Sequence, residues 1–175
     1  RFNIDPDRLA LQGGSAGGHL VLMMSFLEPQ ECDADADGNV PENFAVCCVA
    51  QNPPTDLQAM WEENREPKMV QFLGGDYPDM PERYSQASPI THLSADDPPV
   101  LLLHGTADRT VPYSQSTRLK SAMDEIGVRC ELLSFEGAGH GLKGIARQQR
   151  RRARQHMLDW TLQQLGVQSV PRPQN

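Results

Sequence analysis

"GGSAGGHL", residues Gly13 to Leu20, lies between a short apolar run, Arg8–Gln12, and a longer stretch in which Leu20, Met23, Met24 and Leu27 recur at helical spacing until Pro29. Glycine suits a backbone that turns sharply or passes close to something else. The segment Gly13-Gly14-Ser15-Ala16-Gly17 fits the pattern G-x-S-x-G in the context that gives it meaning, a strand before and a helix after. A serine in such a strained turn has its hydroxyl held outward. The residues two before and two after it approach one another, so both are expected to lack bulk. The head of the helix adds free N–H groups and a positive dipole end. A phosphate-binding loop fits worse, since no lysine follows the glycines and their spacing is not G-x-G-x-x-G.

Outward from this turn, the chain alternates strands and helices. Phe44–Ala50 (FAVCCVA) reads as a buried strand ended by Asn52-Pro53-Pro54. Pro99–Leu103 is a third strand and Val128–Phe135 a fourth. Tyr113–Ile126 fits a helix closed by Gly127 in the left-handed cap position. A long helix over Ile145–Leu165 is expected to bury Ala153, Met157, Leu158, Leu162 and Leu165, and Gly166 ends it. Fully apolar strands separated by helices predict an α/β fold, a parallel sheet with helices on both faces. Residues 56–89 break into short helical pieces rich in Pro, Gly and acid, a small cap-like excursion within one domain spanning residues 1–175.

A serine hydroxyl is a weak nucleophile until a base takes its proton, and the base needs an acid to orient it. In the strand order that accompanies this serine turn, the acid and the histidine follow on loops after later strands. Asp108 stands in His104-Gly105-Thr106-Ala107-Asp108, directly after the third strand, and His140 in a Gly-rich turn directly after the fourth. Asp56 is an alternative acid, but it comes behind two prolines. His19 lies on the helix behind the serine and reads as a local packing or bonding residue. His104 reads as a structural hydrogen-bonder, and His92 and His156 as surface residues. Arg109 reads as a surface partner of the acid.

Bulk properties exclude several alternatives. The 175 residues, 38% hydrophobic and 22% charged, amount to one globular domain. A net charge of −7 argues against wholesale nucleic-acid binding, and no apolar run is long enough to span a bilayer. The arginine group at 147, 150, 151, 152 and 154 reads as a solvated helix face. Cys47 and Cys48, adjacent within a strand, point to opposite faces as buried small hydrophobes. With Cys32 and Cys130 they form neither a disulfide framework nor a zinc pattern. Asp33, Asp35 and Asp37 match the start of a calcium loop, but Phe44 stands where that loop needs a bidentate glutamate, so an acidic solvent loop is the plainer reading and a weak calcium site the alternative. Trp61 and Tyr77 are read either as a hydrophobic clasp or as a stacking surface.

With these segments in hand, the chain resembles the C-terminal part of an α/β-hydrolase, of the esterase/lipase group that includes carbohydrate-acting acetyl and feruloyl esterases. The stretches carrying the resemblance are "NIDPDRLALQGGSAGGHL", "PPTDL", "FLGG", "ASPITHLSADDPPVLLLHGTADRTVPYSQS" and "GAGHGL". The resemblance implies Ser15 as nucleophile, Asp108 as acid, His140 as base and the Ala16 backbone N–H as an oxyanion donor. It implies a cofactor-free serine carboxylic ester hydrolase acting on small-molecule or carbohydrate esters. Members of this group carry an H-G-G-G-type loop and several strands before the serine. The expectation is therefore a chain whose N-terminal half is its missing partner, inactive or weakly active alone. A peptidase of the same fold and a non-catalytic interaction module are the alternatives.

Overall fold

The computed structural model of the chain describes residue 5, residues 8–28 and residues 45–167. The acidic segment with Asp33, Asp35 and Asp37, together with Cys32, lies outside the described residues. In chain order the elements are β1 (Leu9–Gly14), α1 (Ala16–Phe26), β2 (Ala45–Gln51), α2 (Leu57–Asn64), α3 (Pro67–Leu73), α4 (Pro81–Gln86), β3 (Val100–Gly105), α5 (Ser114–Glu125), β4 (Cys130–Phe135) and α6 (Arg147–Gln164). The strands lie side by side in the order β1-β2-β3-β4, every pairing parallel.

Each connection advances one strand in the same direction, and right-handed crossovers then bring the intervening helices to one face. Leu22 and Phe26 of α1 and Leu119 and Met123 of α5 pack there on Cys48, Ala50, Val100 and Leu102. The opposite face is left to α6, whose Ala153 and Trp160 cover Cys47, Val49, Leu101 and Leu103. The period-2 alternation of a strand thus sends Cys47 and Cys48 to different layers, both fully buried. Burial pushes the Cys47 thiol up to about 11 and the Cys48 thiol up to about 12, which leaves both protonated and inert. All six residues of β3 are buried, as a two-sided parallel strand requires.

Three expectations need correction. β1 does not stop at Gln12, because Gly13 and Gly14 stay in the ladder opposite Ala50 and Gln51. Leu158 of α6 is exposed at 41%, while Trp160 is buried at 3%. Two residues turn a helix by about 200°, so with Trp160 on the sheet Leu158 faces away from it. The third concerns bulk around the serine. A Cβ on Gly13 would stand 2.1 Å from the Gly17 carbonyl oxygen, whereas one on Gly17 meets nothing within 4 Å. The close approach is real, but only Gly13 must lack a side chain.

Residues 57–86 hold three short helices around their own apolar cluster of Leu57, Met60, Met69, Leu73 and Tyr84, joined by Val111. Pro67 and Pro81 open α3 and α4 at the first-turn positions where a missing N–H costs nothing. After Pro53-Pro54 the next two N–H groups, of Thr55 and Asp56, both donate to the buried Gln115 Oε1 at 2.9 Å. That side chain anchors the excursion to α5.

Gly13→Ala is expected to lower stability by several kcal/mol or prevent folding, since the methyl would overlap main-chain atoms that cannot move independently. Gly17→Ala, inside α1, is expected to be neutral or to stabilise by about 0.5–1 kcal/mol. Thermal melts of the two variants check both; equal destabilisation would contradict the asymmetry.

Candidate active site

The serine turn is built from the end of β1. Gly14 is the last residue paired with β2, and the next N–H, that of Ser15, donates to the Gln51 carbonyl at 2.8 Å. Ser15 itself has φ 54° and ψ −123°, a backbone conformation that costs a non-glycine residue about 1–3 kcal/mol. Ala16 then heads α1 and is exposed, and the first N–H groups of a helix have no partner within it.

The acid comes from the loop after β3. Asp108 Oδ1 accepts the N–H groups of Thr110 and Val111 at 2.9 and 3.0 Å. Its Oδ2 accepts from His140 Nδ1 at 2.8 Å and from Asn52 Nδ2 at 2.9 Å. The side chain is wholly shielded from solvent. Burial alone would raise the carboxyl, but the Val111 N–H, His140 and the Thr110 N–H together hold it below the usual range.

The histidine sits in a loop closed on itself. Gly139 and Lys143 exchange backbone hydrogen bonds of 2.9 and 3.2 Å, and Gly141 and Leu142 both take positive φ, 67° and 57°. Arg150 Nη2 donates to the Leu142 carbonyl at 3.0 Å, which gives one of the α6 arginines a structural task. This loop is docked on the acid loop. Ala107 N–H donates to the Ala138 carbonyl at 3.0 Å, and a Cβ on Gly105 would lie 2.3 Å from that same oxygen.

The three loops bring Ser15, Asp108 and His140 together. His140 Nε2 is 3.0 Å from Ser15 Oγ. A carboxylate can only accept, so Nδ1 carries the proton toward Asp108, and Nε2 is left to accept from the serine hydroxyl. The arrangement can therefore draw a proton from Ser15 while a buried negative charge steadies the resulting imidazolium.

The other candidates make different contacts, and of these His104 alone borders the acid, its Nε2 3.5 Å from Asp108 Oδ2. Asp56 caps α2, its Oδ1 accepting the Ala59 N–H at 3.0 Å. His19 bonds the Ala87 carbonyl at 2.7 Å, and His92 the Gln86 carbonyl at 2.8 Å. His156 bonds Glu131 Oε1 at 2.7 Å on the surface. His104 is fully buried, with Nε2 donating to the Val111 carbonyl at 3.0 Å and Nδ1 accepting from Ser116 Oγ at 2.7 Å. Trp61 lies against Tyr77 and Tyr77 against Tyr84, at ring separations of 5.9 and 5.5 Å. Among the described residues there is no cluster of three or more metal-ligating side chains, and no helix long and apolar enough to cross a membrane. Sequence reasoning missed Asn52, read only as part of a strand terminator; an asparagine between a buried strand and two prolines was the available signal.

Comparison with known proteins gives consistent matches. The BD-FAE family profile matches residues 1–123. The chain is 32% identical to the acylamino-acid-releasing enzyme of Arabidopsis thaliana over 147 residues, 79% of this chain and 18% of that protein. It is 28% identical to the esterase LipQ of Mycobacterium tuberculosis over 132 residues, 70% of this chain and 30% of that protein. Among solved structures, a truncated form of a carbohydrate esterase from gut microbiota superposes with TM-score 0.77 at 27% identity, covering 94% of this chain and 62% of that one. Esterase 2 of Thermogutta terrifontis superposes with TM-score 0.72 at 29% identity, covering 98% and 59%. The chain thus spans less than two thirds of the length of each of these relatives, and its parallel sheet with flanking helices is the α/β-hydrolase fold of the esterases among them.

Two histidines also set a pH dependence. Burial lowers the pKa of His104 and of His19 from the ordinary 6.5, so in the folded chain both resist protonation. Their contribution to stability is complete above 6.5 and is lost as the pH falls below it; that of Asp108 is lost only below the ordinary 3.8. The melting temperature is expected to fall on acidification below 6.5, and His104→Gln to make that fall shallower. Melts at several pH values check this; an unchanged slope in His104→Gln would remove His104 from the account.

Proposed function

Because the chain belongs to the BD-FAE family, we propose that it carries the catalytic triad of a serine carboxylic ester hydrolase. The observation that carries this reading is the unbroken relay from Ser15 Oγ through His140 to Asp108, with links of 3.0 and 2.8 Å. Ser15 Oγ attacks the ester carbonyl as its proton passes to His140 Nε2. The tetrahedral oxyanion is met by the Ala16 N–H at the head of α1. Collapse expels the alcohol, which takes the proton from His140, and leaves an acyl-serine. Water then repeats the sequence with His140 as base, releasing the acid and restoring Ser15. None of these steps calls for a metal or cofactor.

Carbohydrate esters are the favoured substrate class, supported by the structural likeness to a carbohydrate esterase. The excursion over residues 56–89 serves as a small cap beside the site, held together by the Trp61–Tyr77–Tyr84 cluster. A second reading, release of N-acylated amino acids from peptides, is favoured by the likeness to acylamino-acid-releasing enzymes. The two differ in leaving group, an alcohol or an amine, and the same relay serves either.

A fluorophosphonate probe is expected to label the chain at Ser15 and to fail with Ser15→Ala. Ser15→Ala and His140→Ala should each lower p-nitrophenyl acetate hydrolysis by about 10³-fold or more, with little further loss in the double variant, because the residues act as a unit. Hydrolysis of an acetylated xylo-oligosaccharide in preference to acetyl-alanine p-nitroanilide supports the carbohydrate-ester reading; the reverse supports the second. Absence of labelling, both in this chain and in a longer protein that includes the segment preceding the serine in its relatives, would overturn both and leave a non-catalytic interaction module.

A further inference from the structure

We propose that Asn52 is a positioning residue for Asp108, and that the Gln51–Asn52 pair at the end of β2 couples the backbone of the nucleophile to the carboxylate of the acid; this rests on the reading of Ser15, His140 and Asp108 as a catalytic relay. Asn52 is 1% exposed and holds φ 50°, a left-handed conformation that asparagine tolerates better than other side-chain-bearing residues. Its N–H donates to the Leu103 carbonyl at 2.8 Å, extending the pairing of β2 with β3, while the neighbouring Gln51 carbonyl receives the Ser15 N–H. Its side chain spends one end on the acid, Nδ2 donating to Asp108 Oδ2 at 2.9 Å. The other end, Oδ1, is buried with no hydrogen-bond partner.

That orphan oxygen tells against a purely structural role. A buried acceptor without a partner destabilises, and at positive φ glycine would meet the backbone requirement without that burden. What glycine could not supply is the donor to Oδ2. With Thr110 and Val111 on Oδ1, and His140 and Asn52 on Oδ2, the carboxylate has two donors on each oxygen. Oδ2 is thereby held in one rotation, aimed at His140 Nδ1, and its charge is shared between two donors. His104 Nε2, 3.5 Å from the same oxygen, is committed to the Val111 carbonyl and cannot replace Asn52.

The test uses the full chain with Asn52→Gly, which keeps the left-handed backbone, and Asn52→Asp, which keeps the shape but replaces the donor with an acceptor. The far-downfield proton resonance of His140 Nδ1–H, identified by its loss in His140→Gln, reports the His140–Asp108 bond without requiring turnover. It is expected to shift or broaden in Asn52→Gly and more so in Asn52→Asp, with melting temperatures close to that of the parent for Asn52→Gly. In ester hydrolysis kcat should fall about tenfold with KM nearly unchanged. The acid limb of kcat/KM should move as well, because the carboxylate facing the imidazole has lost one of the four donors that fix its charge. An unmoved resonance and an unmoved acid limb in both variants would overturn the proposal, as would loss of folding in both, which would make Asn52 structural. A chain that shows the resonance but hydrolyses no ester, even within a longer protein that includes the segment preceding the serine in its relatives, would sink the hydrolase reading alone, and Asn52 would still stand or fall by the resonance.

Discussion

One register row across the sheet governs everything at the site. Gly14 pairs with Gln51, Gln51 with Leu103, and Leu103 with Leu133, so four strands reach the same rim in step. Because every pairing is parallel, the chain leaves each strand at that rim in the same direction. Ser15 follows Gly14 directly, while Asp108 and His140 come after short loops beyond Leu103 and Leu133. A slip of one residue in any strand would turn its apolar side chains to the wrong layer, and the buried faces of β2 and β3 forbid that. The layer packing that stabilises the sheet is therefore also what meters the distance between three residues far apart in sequence.

The rim pays for a buried charge with fixed donors. A carboxylate shielded from water is costly unless hydrogen bonds replace its hydration. Asp108 obtains two of these from its own loop and two from side chains on other loops. The same economy appears at Gln115, whose single Oε1 takes the two N–H groups that follow Pro53-Pro54. In each case a turn that cannot satisfy itself is completed by a distant element. The consequence is that the loops are not independent. Moving the acid loop would strand donors on β2 and on the histidine loop together.

The strands and most helices were legible because their signals are local: apolar runs for β2 and β3, Gly127 and Gly166 at the helix ends. The spacing of Leu20, Met23, Met24 and Leu27 marked α1 as a helix but not its buried face, since Leu20 and Met24 are exposed and Leu22 and Phe26 are buried. Ser15, Asp108 and His140 were picked out by residue type and by their places after successive strands. What sequence could not disclose were interactions closed only in three dimensions. The apolar positions of α6 look equivalent in sequence, but only the approach angle to the sheet selects Trp160 and leaves Leu158 in solvent. The reciprocal glycine requirement was overstated because a close approach between two backbones needs space on one side only. Asn52 was hidden for a related reason: its partner lies on a loop 56 residues away, and nothing local marks the pair.

The strained residues share a logic. Among the described residues four that are not glycine hold positive φ, namely Ser15, Asn52, Arg65 and Leu142, and three of them belong to the loops around the relay. Such conformations cost about 1–3 kcal/mol each and persist only where surroundings over-determine them. Here each has a specific restraint. Ser15 is held by the Gln51 carbonyl, Asn52 by the Leu103 carbonyl and Asp108, and Leu142 by its own burial and by Arg150. Two of those restraints originate in neighbouring strands, and the third in the helix that covers the far face of the sheet. A site assembled this way borrows its precision from the rigid sheet, and no single loop could hold the same geometry if detached from the others. The strain and the convergence are thus one property, produced by three short loops forced to meet at the edge of a sheet whose register leaves them no slack.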